Sequence, residues 1–418
     1  MEKLSKLAEM MVGSEIVRLG NEINERIRQG ENIFNFTIGD FDPSIFPIPE
    51  VLEKLILESY TNHNTNYPPA EGVMELREAV SRFLNDWEHL HYSPSEILIA
   101  SGGRPLIYTL FKAIVDENDK VIYTAPSWNN NHYTNLHAGK HCVIEARPEN
   151  NFMPTANDIA AHIKDAALIC LCTPQNPTGT TLDKQTLFDI CELVVEENNR
   201  RKSNEKKLYV MFDQIYWTLT YRDVKHFNPV ALHPEMRKYT IFIDGISKAF
   251  AATGVRVGWA FGPVKVLAKM KAFLSHIGAW APMAEQKATA KFLIEKTLIK
   301  EYFSVFKDEL ELRLNKIYEG LIALKNEGHN IDAIAPQAAI YLTVKFDLAG
   351  KKTAALILKT QEDVTEYLLS KANMAVVPFY AFGADKHSPW YRLSIGTCKI
   401  NDIPLFLQQL KEALEDLQ

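Results

Sequence analysis

At 418 residues the chain can hold two or three domains' worth of core, and an apolar share of 46% with a charged share of 23% excludes a disordered or membrane-embedded composition. The formal net charge of −6 argues against a general binder of nucleic acid or anionic membrane. No stretch approaches the roughly 18 uninterrupted apolar residues of a membrane helix, and Met1 to Met11 mixes Lys and Glu with Leu, without the apolar core of a signal peptide.

From the amino terminus, Ile16, Leu19, Ile23 and Ile27 recur near helical spacing, and Gly30 marks a stop. A short strand-like run, Ile33 to Ile38, leads to Gly39. From about residue 73, helical segments alternate with short apolar strands, the pattern of an α/β sheet. The expected strands are Glu96–Ala100, Val121–Thr124, Cys142–Ala146, Ala167–Cys172, Leu208–Phe212, Ile241–Ile243 and Val257–Phe261. Leu187, Ile190, Cys191 and Val194 form one helix face between two of them, and the charged, Asn-rich run Glu196–Lys207 reads as a solvated helix end and loop. After about residue 285 the texture changes. A long helical stretch, Ala284–Asn326, precedes a strand Ala339–Phe346, a helix Thr353–Lys371, a strand Met374–Pro378 and a closing helix from about Asp402. The division expected is a large domain over residues 46–285, with 1–45 and 286–418 forming a smaller α+β domain.

The five cysteines, at 142, 170, 172, 191 and 398, are odd in number and scattered, which reads as reduced thiols in a cytoplasmic compartment. Cys170 and Cys172 sit in an apolar run and are expected in the core. The twelve histidines show no H-E-x-x-H or paired-cysteine spacing, so no metal site is expected, and His89 and His91 read as surface residues beside a turn.

Three apolar runs end in chemically loaded residues. Ala167–Cys172 runs into Thr173-Pro174-Gln175-Asn176-Pro177-Thr178-Gly179, Leu208–Phe212 into Asp213-Gln214-Ile215-Tyr216, and Ile241–Ile243 into Asp244-Gly245-Ile246-Ser247-Lys248. Ligands of a buried parallel sheet bind at the carboxyl ends of its strands, which would gather Asn176, Asp213, Tyr216 and Lys248 in one crevice. The set has a coherent chemistry. A lysine amine condenses with an aldehyde cofactor to a Schiff base, and a carboxylate opposite a pyridine nitrogen keeps that ring protonated as an electron sink. Opposite unit charges about 4 Å apart at an effective dielectric of about 20 attract by roughly 4 kcal/mol, enough to hold a weak pyridine base charged near neutrality. An amide and a phenol, Asn176 and Tyr216, can both donate to a ring oxygen.

Further pieces suit the remaining parts of such a ligand. Ser101-Gly102-Gly103-Arg104 follows a strand and opens a helix, so backbone N–H groups there can approach a phosphate. Arg256, in Thr253-Gly254-Val255-Arg256-Val257-Gly258, can clamp the same phosphate. Trp128 follows another strand end and can stack on the pyridine face. Arg392 interrupts an apolar strand, Trp390-Tyr391-Arg392-Leu393-Ser394, where a substrate carboxylate or a structural ion pair would satisfy it.

In this order the pieces resemble class I/II aminotransferases of the pyridoxal 5′-phosphate (PLP) fold-type I superfamily, aspartate aminotransferase-like, from about Asn35 to Cys398. The matching blocks are Ile38-Gly39-Asp40, Asn66-Tyr67 through Gly72 to Leu76-Arg77, Ser101-Gly102-Gly103, Asn176-Pro177-Thr178-Gly179, Asp213 with Tyr216, Ser247-Lys248, Arg256-Val257-Gly258 and Arg392. The resemblance implies an α/β large domain with a mainly parallel seven-stranded sheet between helices. It implies PLP as cofactor and transfer of an amino group from an L-amino acid to a 2-oxo acid. Lys248 would hold the cofactor and move the proton, Asp213 would pair with the pyridine nitrogen, and Asn176 and Tyr216 would bind the ring oxygen. Trp128 would stack on the ring, and Gly102, Gly103, Arg104, Ser247 and Arg256 would surround the phosphate. Arg392 would bind the substrate carboxylate, with Ile38 and Gly39 lining the pocket. A homodimer with interfacial sites would let Tyr67 reach the neighbour's phosphate.

One departure is visible: Gly245 stands where the family often has a phosphate-binding serine, which shifts that task to Arg256 and the Gly-rich turn. No second arginine for a dicarboxylate side chain is identified, so the amino donor stays open. The alternative is another PLP reaction on the same scaffold, such as a C–S β-lyase or amino-acid synthase. A non-catalytic regulator is remote, because no DNA-binding segment is recognisable ahead of the fold and Asn176, Asp213, Lys248, Arg256 and Arg392 are all present.

Overall fold

A computed structural model describes residues 3–13 and 15–418, so the amino-terminal stretch read for a signal peptide lies partly outside the described residues. The strands in chain order are β1 (Phe34–Asn35), β2 (Ile97–Ala100), β3 (Lys120–Ala125), β4 (Lys140–Glu145), β5 (Ala166–Cys172), β6 (Tyr209–Asp213), β7 (Thr240–Gly245), β8 (Gly258–Phe261), β9 (Ile331–Ala333), β10 (Tyr341–Phe346), β11 (Met374–Ala375), β12 (Val377–Pro378) and β13 (Trp390–Ser394). Seven form one sheet in the order β2-β8-β7-β6-β5-β3-β4. Its β3, β4, β5, β6 and β7 run parallel, and β8 is antiparallel to both neighbours.

Continuous apolar runs form these strands because both sheet faces are covered. Side chains alternate sides along each strand. Phe212 and Phe242 join a cluster with helix residues such as Leu187, Ile190 and Val194, while Met211, Ile241 and Ile243 join another with Leu106 and Leu110. The covering helix Lys184–Arg200 starts at Asp183, whose carboxylate accepts from the backbone N–H groups of Gln185 and Thr186 at 2.9 Å.

A third cluster joins Phe34, Phe36 and Phe41 to residues of β10, β13 and the carboxy-terminal helices. The antiparallel sheet there has the order β12-β13-β10-β9. β1 pairs in parallel with β11, Phe34 opposite Met374, which ties the amino-terminal segment to this part of the chain. Along the helix Lys296–Asn326 the packing passes from the first cluster at Phe303 to the third at Phe306.

Several expected elements are shorter or divided. The run 33–38 forms only the short β1: Phe36 still bonds through its backbone to Ala375 and Ser394, and from Thr37, whose carbonyl accepts from the Arg392 side chain, the chain turns to the site. The stretch Ala284–Asn326 is two helices, Met283–Leu293 and Lys296–Asn326, broken where Glu295 leaves helical geometry at ψ 65°. The helix placed at Thr353–Lys371 runs from Gln361 to Ala372, because a capping box at Thr360 and Asp363 starts it there. The strand placed at Met374–Pro378 divides: Met374–Ala375 pairs with β1, and Val377–Pro378 pairs with β13. Among the described residues no helix is long and apolar enough to cross a membrane.

Candidate active site

At the carboxyl ends of β5, β6 and β7 lies a cavity of about 370 Å³, lined among others by Asn176, Asp213, Tyr216, Ser247 and Lys248. Parallel neighbours bring them together: Cys172 stands opposite Asp213, and Asp213 opposite Ile243. Lys248 follows β7 on the four-residue helix Ile246–Ala249. Its Nζ donates to the Gly39 carbonyl at 2.6 Å. Burial, helped by the positive charges of Arg392, Arg256 and Arg104 and opposed by Asp40, lowers its ammonium to about 8.

Asp213 is half-buried at the cavity wall, and its Oδ1 accepts from the Ile215 N–H at 3.2 Å. Burial pushes its carboxyl up to about 6 against that hydrogen bond. Among the described residues no cation forms an ion pair with it. The Tyr216 hydroxyl lies 2.6 Å from that of Tyr341, and burial raises both phenols. Asn176 accepts at Oδ1 from Arg392 Nη1 at 3.1 Å, which leaves its amide N–H groups free to donate.

Arg392 is 2% exposed. Its Nη2 donates to the Thr37 carbonyl at 2.6 Å, and its guanidinium lies 4.9 Å from the ring centres of both Tyr341 and Phe382. Its Nε is buried without a partner, and no carboxylate pairs with it among the described residues. The structural ion pair considered for this arginine is therefore absent there, and burial lowers its pKa.

The Gly-rich turn closes another wall. Gly102 has φ 84° and precedes the helix Gly103–Ile114, and a Cβ at Gly102 would lie 2.3 Å from Arg256 Nη2. Arg256 itself has φ 63°, held while Nη1 donates to the Thr253 carbonyl at 2.7 Å and Nη2 to that of Ser101 at 2.9 Å. Three of its five N–H groups remain for an anion. Gly245 has a steric explanation: a Cβ there would lie 2.8 Å from Gly258 Cα and from the Val257 carbonyl oxygen. Serine does not fit without backbone movement. A Cβ at Gly258 would in turn lie 2.7 Å from the Gly102 carbonyl carbon, so the turn rests directly on β8.

Trp128 lines the cavity beneath the Arg104 guanidinium, 4.5 Å from its ring centre. Arg104 has no anionic partner among the described residues. Gly39 is a wall residue and Ile38 is not, because the carbonyls of Thr37 and Gly39 face the site and the residue between them does not. Tyr67 stands apart, 84% exposed, with its ring 5.6 Å from Trp280.

The cavity also contains residues the sequence reading did not assign. Tyr341 at the start of β10 orients Tyr216. Asp40 accepts from the Thr253 hydroxyl at 2.6 Å, tying the amino-terminal segment to the Arg256 loop. Cys172, expected in the core, borders the cavity beyond buried Cys170. Ile16 and Val17, on the helix Glu15–Arg28, close one side. Asp40 and Thr253 lie inside the motifs Ile38-Gly39-Asp40 and Thr253-Gly254-Val255-Arg256-Val257-Gly258, so their polar side chains were a usable signal. Tyr341, Ile16 and Val17 carried none, since they belong to ordinary apolar periodicity.

The family described as aminotransferase class I and II matches residues 31–410. An aspartate/prephenate aminotransferase from Thermus thermophilus is 29% identical over 418 residues, covering 99% of this chain and 98% of its own. An aspartate aminotransferase from a Bacillus species is 28% identical over 386 residues, 92% of this chain and 93% of its own. The solved Thermus thermophilus aspartate aminotransferase with maleate superposes with a TM-score of 0.86 at 27% identity, covering 99% of this chain and 100% of that one.

Proposed function

This chain belongs to the class I and II aminotransferases, and from that premise we propose that it uses PLP in the strand-end cavity to move amino groups from acidic L-amino acids to 2-oxo acids. The residues present fit the cofactor. Asp213 is a half-buried carboxylate with no cation partner among the described residues, Arg392 Nε is an orphaned buried donor, and the turn at Gly102 leaves room only for backbone beside Arg256. When bound, PLP supplies an electrophilic aldehyde carbon and a cationic ring that withdraws electrons from the substrate α-carbon.

Asp213 would hold the ring nitrogen protonated, and Trp128 would offer its indole to the ring. Asn176, through its free amide N–H, and Tyr216, fixed by Tyr341, would donate to the ring oxygen. The N–H groups at Gly103 and Arg104, with Ser247 and Arg256, would bind the phosphate. Lys248 would carry the cofactor and then take and return the α-proton at Nζ. Its depressed pKa of about 8 supplies neutral amine near neutrality. Arg392 would bind the α-carboxylate, and Ile16 and Val17 would limit water entry.

The acidic preference rests on one observation: three arginines, Arg104, Arg256 and Arg392, line one cavity, and the Arg104 side chain has no carboxylate partner among the described residues. A second substrate carboxylate would satisfy it. Relatives are named for aspartate, and one solved relative carries maleate, a dicarboxylate. The exposure of Tyr67 supports a homodimer in which it reaches the neighbour's phosphate. We place the enzyme in the cytoplasm, which suits its five free thiols, and divide it into a large domain over 46–285 and a small one over 1–45 and 286–418.

The test offers PLP-loaded protein single L-amino acids while the cofactor's visible band and pyridoxamine phosphate are followed. Aspartate and glutamate should convert the cofactor at least about tenfold faster than alanine or phenylalanine. Release of ammonia and pyruvate without pyridoxamine phosphate would replace transfer by elimination.

A further inference from the structure

The turn that carries Asp213 and Tyr216 is held from behind. Asp213, Ile215 and Tyr216 line the cavity, whereas Trp217 packs with Phe212 and Phe242 on the other face of the large sheet. The neighbouring strand divides in the same way. Ile243 lines the cavity, and Asp244, the next residue of β7, projects to the opposite face. There it stands across from Trp259 of β8, which belongs to the same cluster as Trp217.

Asp244 is 1% exposed, and its carboxylate joins two stretches of chain. Its Oδ2 accepts from Trp217 Nε1 at 2.9 Å and, at a long 3.5 Å, from Gln214 Nε2, while Oδ1 accepts from the Gly245 N–H at 2.7 Å. Gln214 is tied again, because Nε2 donates to Glu88 Oε1 at 2.7 Å and its backbone N–H to the Ile243 carbonyl at 3.0 Å. A carboxylate in an apolar layer costs stability that an apolar side chain of similar size avoids. What this one provides is a fixed distance. Asp213 is paired with Ile243 along the sheet, and Trp217 is bonded to Asp244, so both ends of the turn are fastened to β7. Tyr216 sits inside that turn, with its hydroxyl held from the front by Tyr341.

We propose that Asp244 and Trp217 are positioning residues: their hydrogen bond behind the sheet sets where Asp213 and Tyr216 stand against the cofactor ring, a role that rests on the PLP reading above. Neither side chain lines the cavity, so each acts through the turn and not by contact with cofactor or substrate. Locking a site residue through a bond on its far side is how a reactive geometry is kept within a fraction of an ångström.

The test follows the visible absorption of the PLP-loaded full chain across pH. A donor at the ring oxygen and a carboxylate at the ring nitrogen both lower the pH at which the cofactor's visible band changes. Trp217→Phe removes the Nε1 donor and keeps an aromatic ring, and it should raise that midpoint by about half a pH unit or more. Asp244→Leu should move it the same way, and in the double variant the two shifts should not add, because both break one bond. Trp217→Phe keeps the test valid should Asp244→Leu fail to fold. Leu187→Ala thins the packing of the same layer without touching the bond, and should leave the midpoint in place. In steady state Trp217→Phe should lower kcat about fivefold or more and leave KM for the amino donor within about twofold, because Arg392 stands apart on β13. An unmoved midpoint in Trp217→Phe, or an equal shift in Leu187→Ala, overturns the proposal. A wild-type chain that takes up no PLP overturns the cofactor reading as well, a result distinct from a normal wild-type titration that the variant fails to move.

Discussion

Asp213→Asn should make the cofactor-free protein more stable while disabling it as an enzyme. Burial lifts the carboxyl from 3.8 to about 6, so the native state resists ionisation that the unfolded chain accepts freely. A raised acid pKa costs native stability as pH climbs from 3.8 through about 6, and the whole cost is present above that. At about 1.36 kcal/mol per pH unit the gap is worth about 3 kcal/mol near pH 7.5 and about half that at pH 5. Asn keeps the shape and can still accept from the Ile215 N–H, so the variant escapes the cost. With unfolding entropy of about 2.1 cal/mol/K per residue, 3 kcal/mol corresponds to a Tm rise of about 3 °C for a chain of 418 residues. Melts of cofactor-free wild type and variant at pH 5 and 7.5 measure this, and the advantage should grow with pH. Addition of PLP should reverse the order, because the charged carboxylate then faces a cationic ring at a gain of roughly 4 kcal/mol. A variant no more stable than wild type at pH 7.5 without cofactor, or more stable with it, would refute the reasoning.

Lys248→Ala should retain weak PLP binding and lose at least about 10²-fold in turnover. Without cofactor, the stability of wild type relative to the variant should also rise between about pH 8 and 10.5, where the unfolded lysine binds a proton that the folded one releases, while buried thiols with raised pKa lower both proteins alike; paired denaturant titrations measure the difference. Arg104→Gln should lower kcat/KM for aspartate by about 10–100-fold and leave alanine nearly unchanged, as steady-state kinetics would record. Arg392→Lys, which gives up the planar fork between Thr37 and Asn176, should raise KM for every amino donor by about 10–100-fold. Gly102→Ala places a Cβ 2.3 Å from Arg256 Nη2 at φ 84°, so it should destabilise by about 1–3 kcal/mol and weaken PLP binding measured by equilibrium dialysis.

Much of the site is legible in the sequence because a parallel sheet places its chemistry at strand ends. Runs such as Ala166–Cys172 must be apolar on both faces, so the polar residues that follow stand out, and neighbouring strands then force Asn176, Asp213 and Lys248 together. Elements without that contrast were harder to bound. The strand expected over 374–378 satisfies one apolar pattern yet serves two partners, β1 and β13, and only pairing divides it.

Local pattern therefore determined which residues are strands, which positions face a crevice, and which side chains carry reactive groups. Long-range approach decided the rest. The phenol of Tyr341 reaches Tyr216 across 125 positions of chain, and Asp40 meets Thr253 across 213. Likewise, no spacing rule reveals that a methyl at Gly245 would strike Gly258, because that clearance is set by two antiparallel strands 13 residues apart in sequence but in van der Waals contact in space. Periodicity records what each residue must avoid or bury, whereas partners are chosen only when the folded layers close.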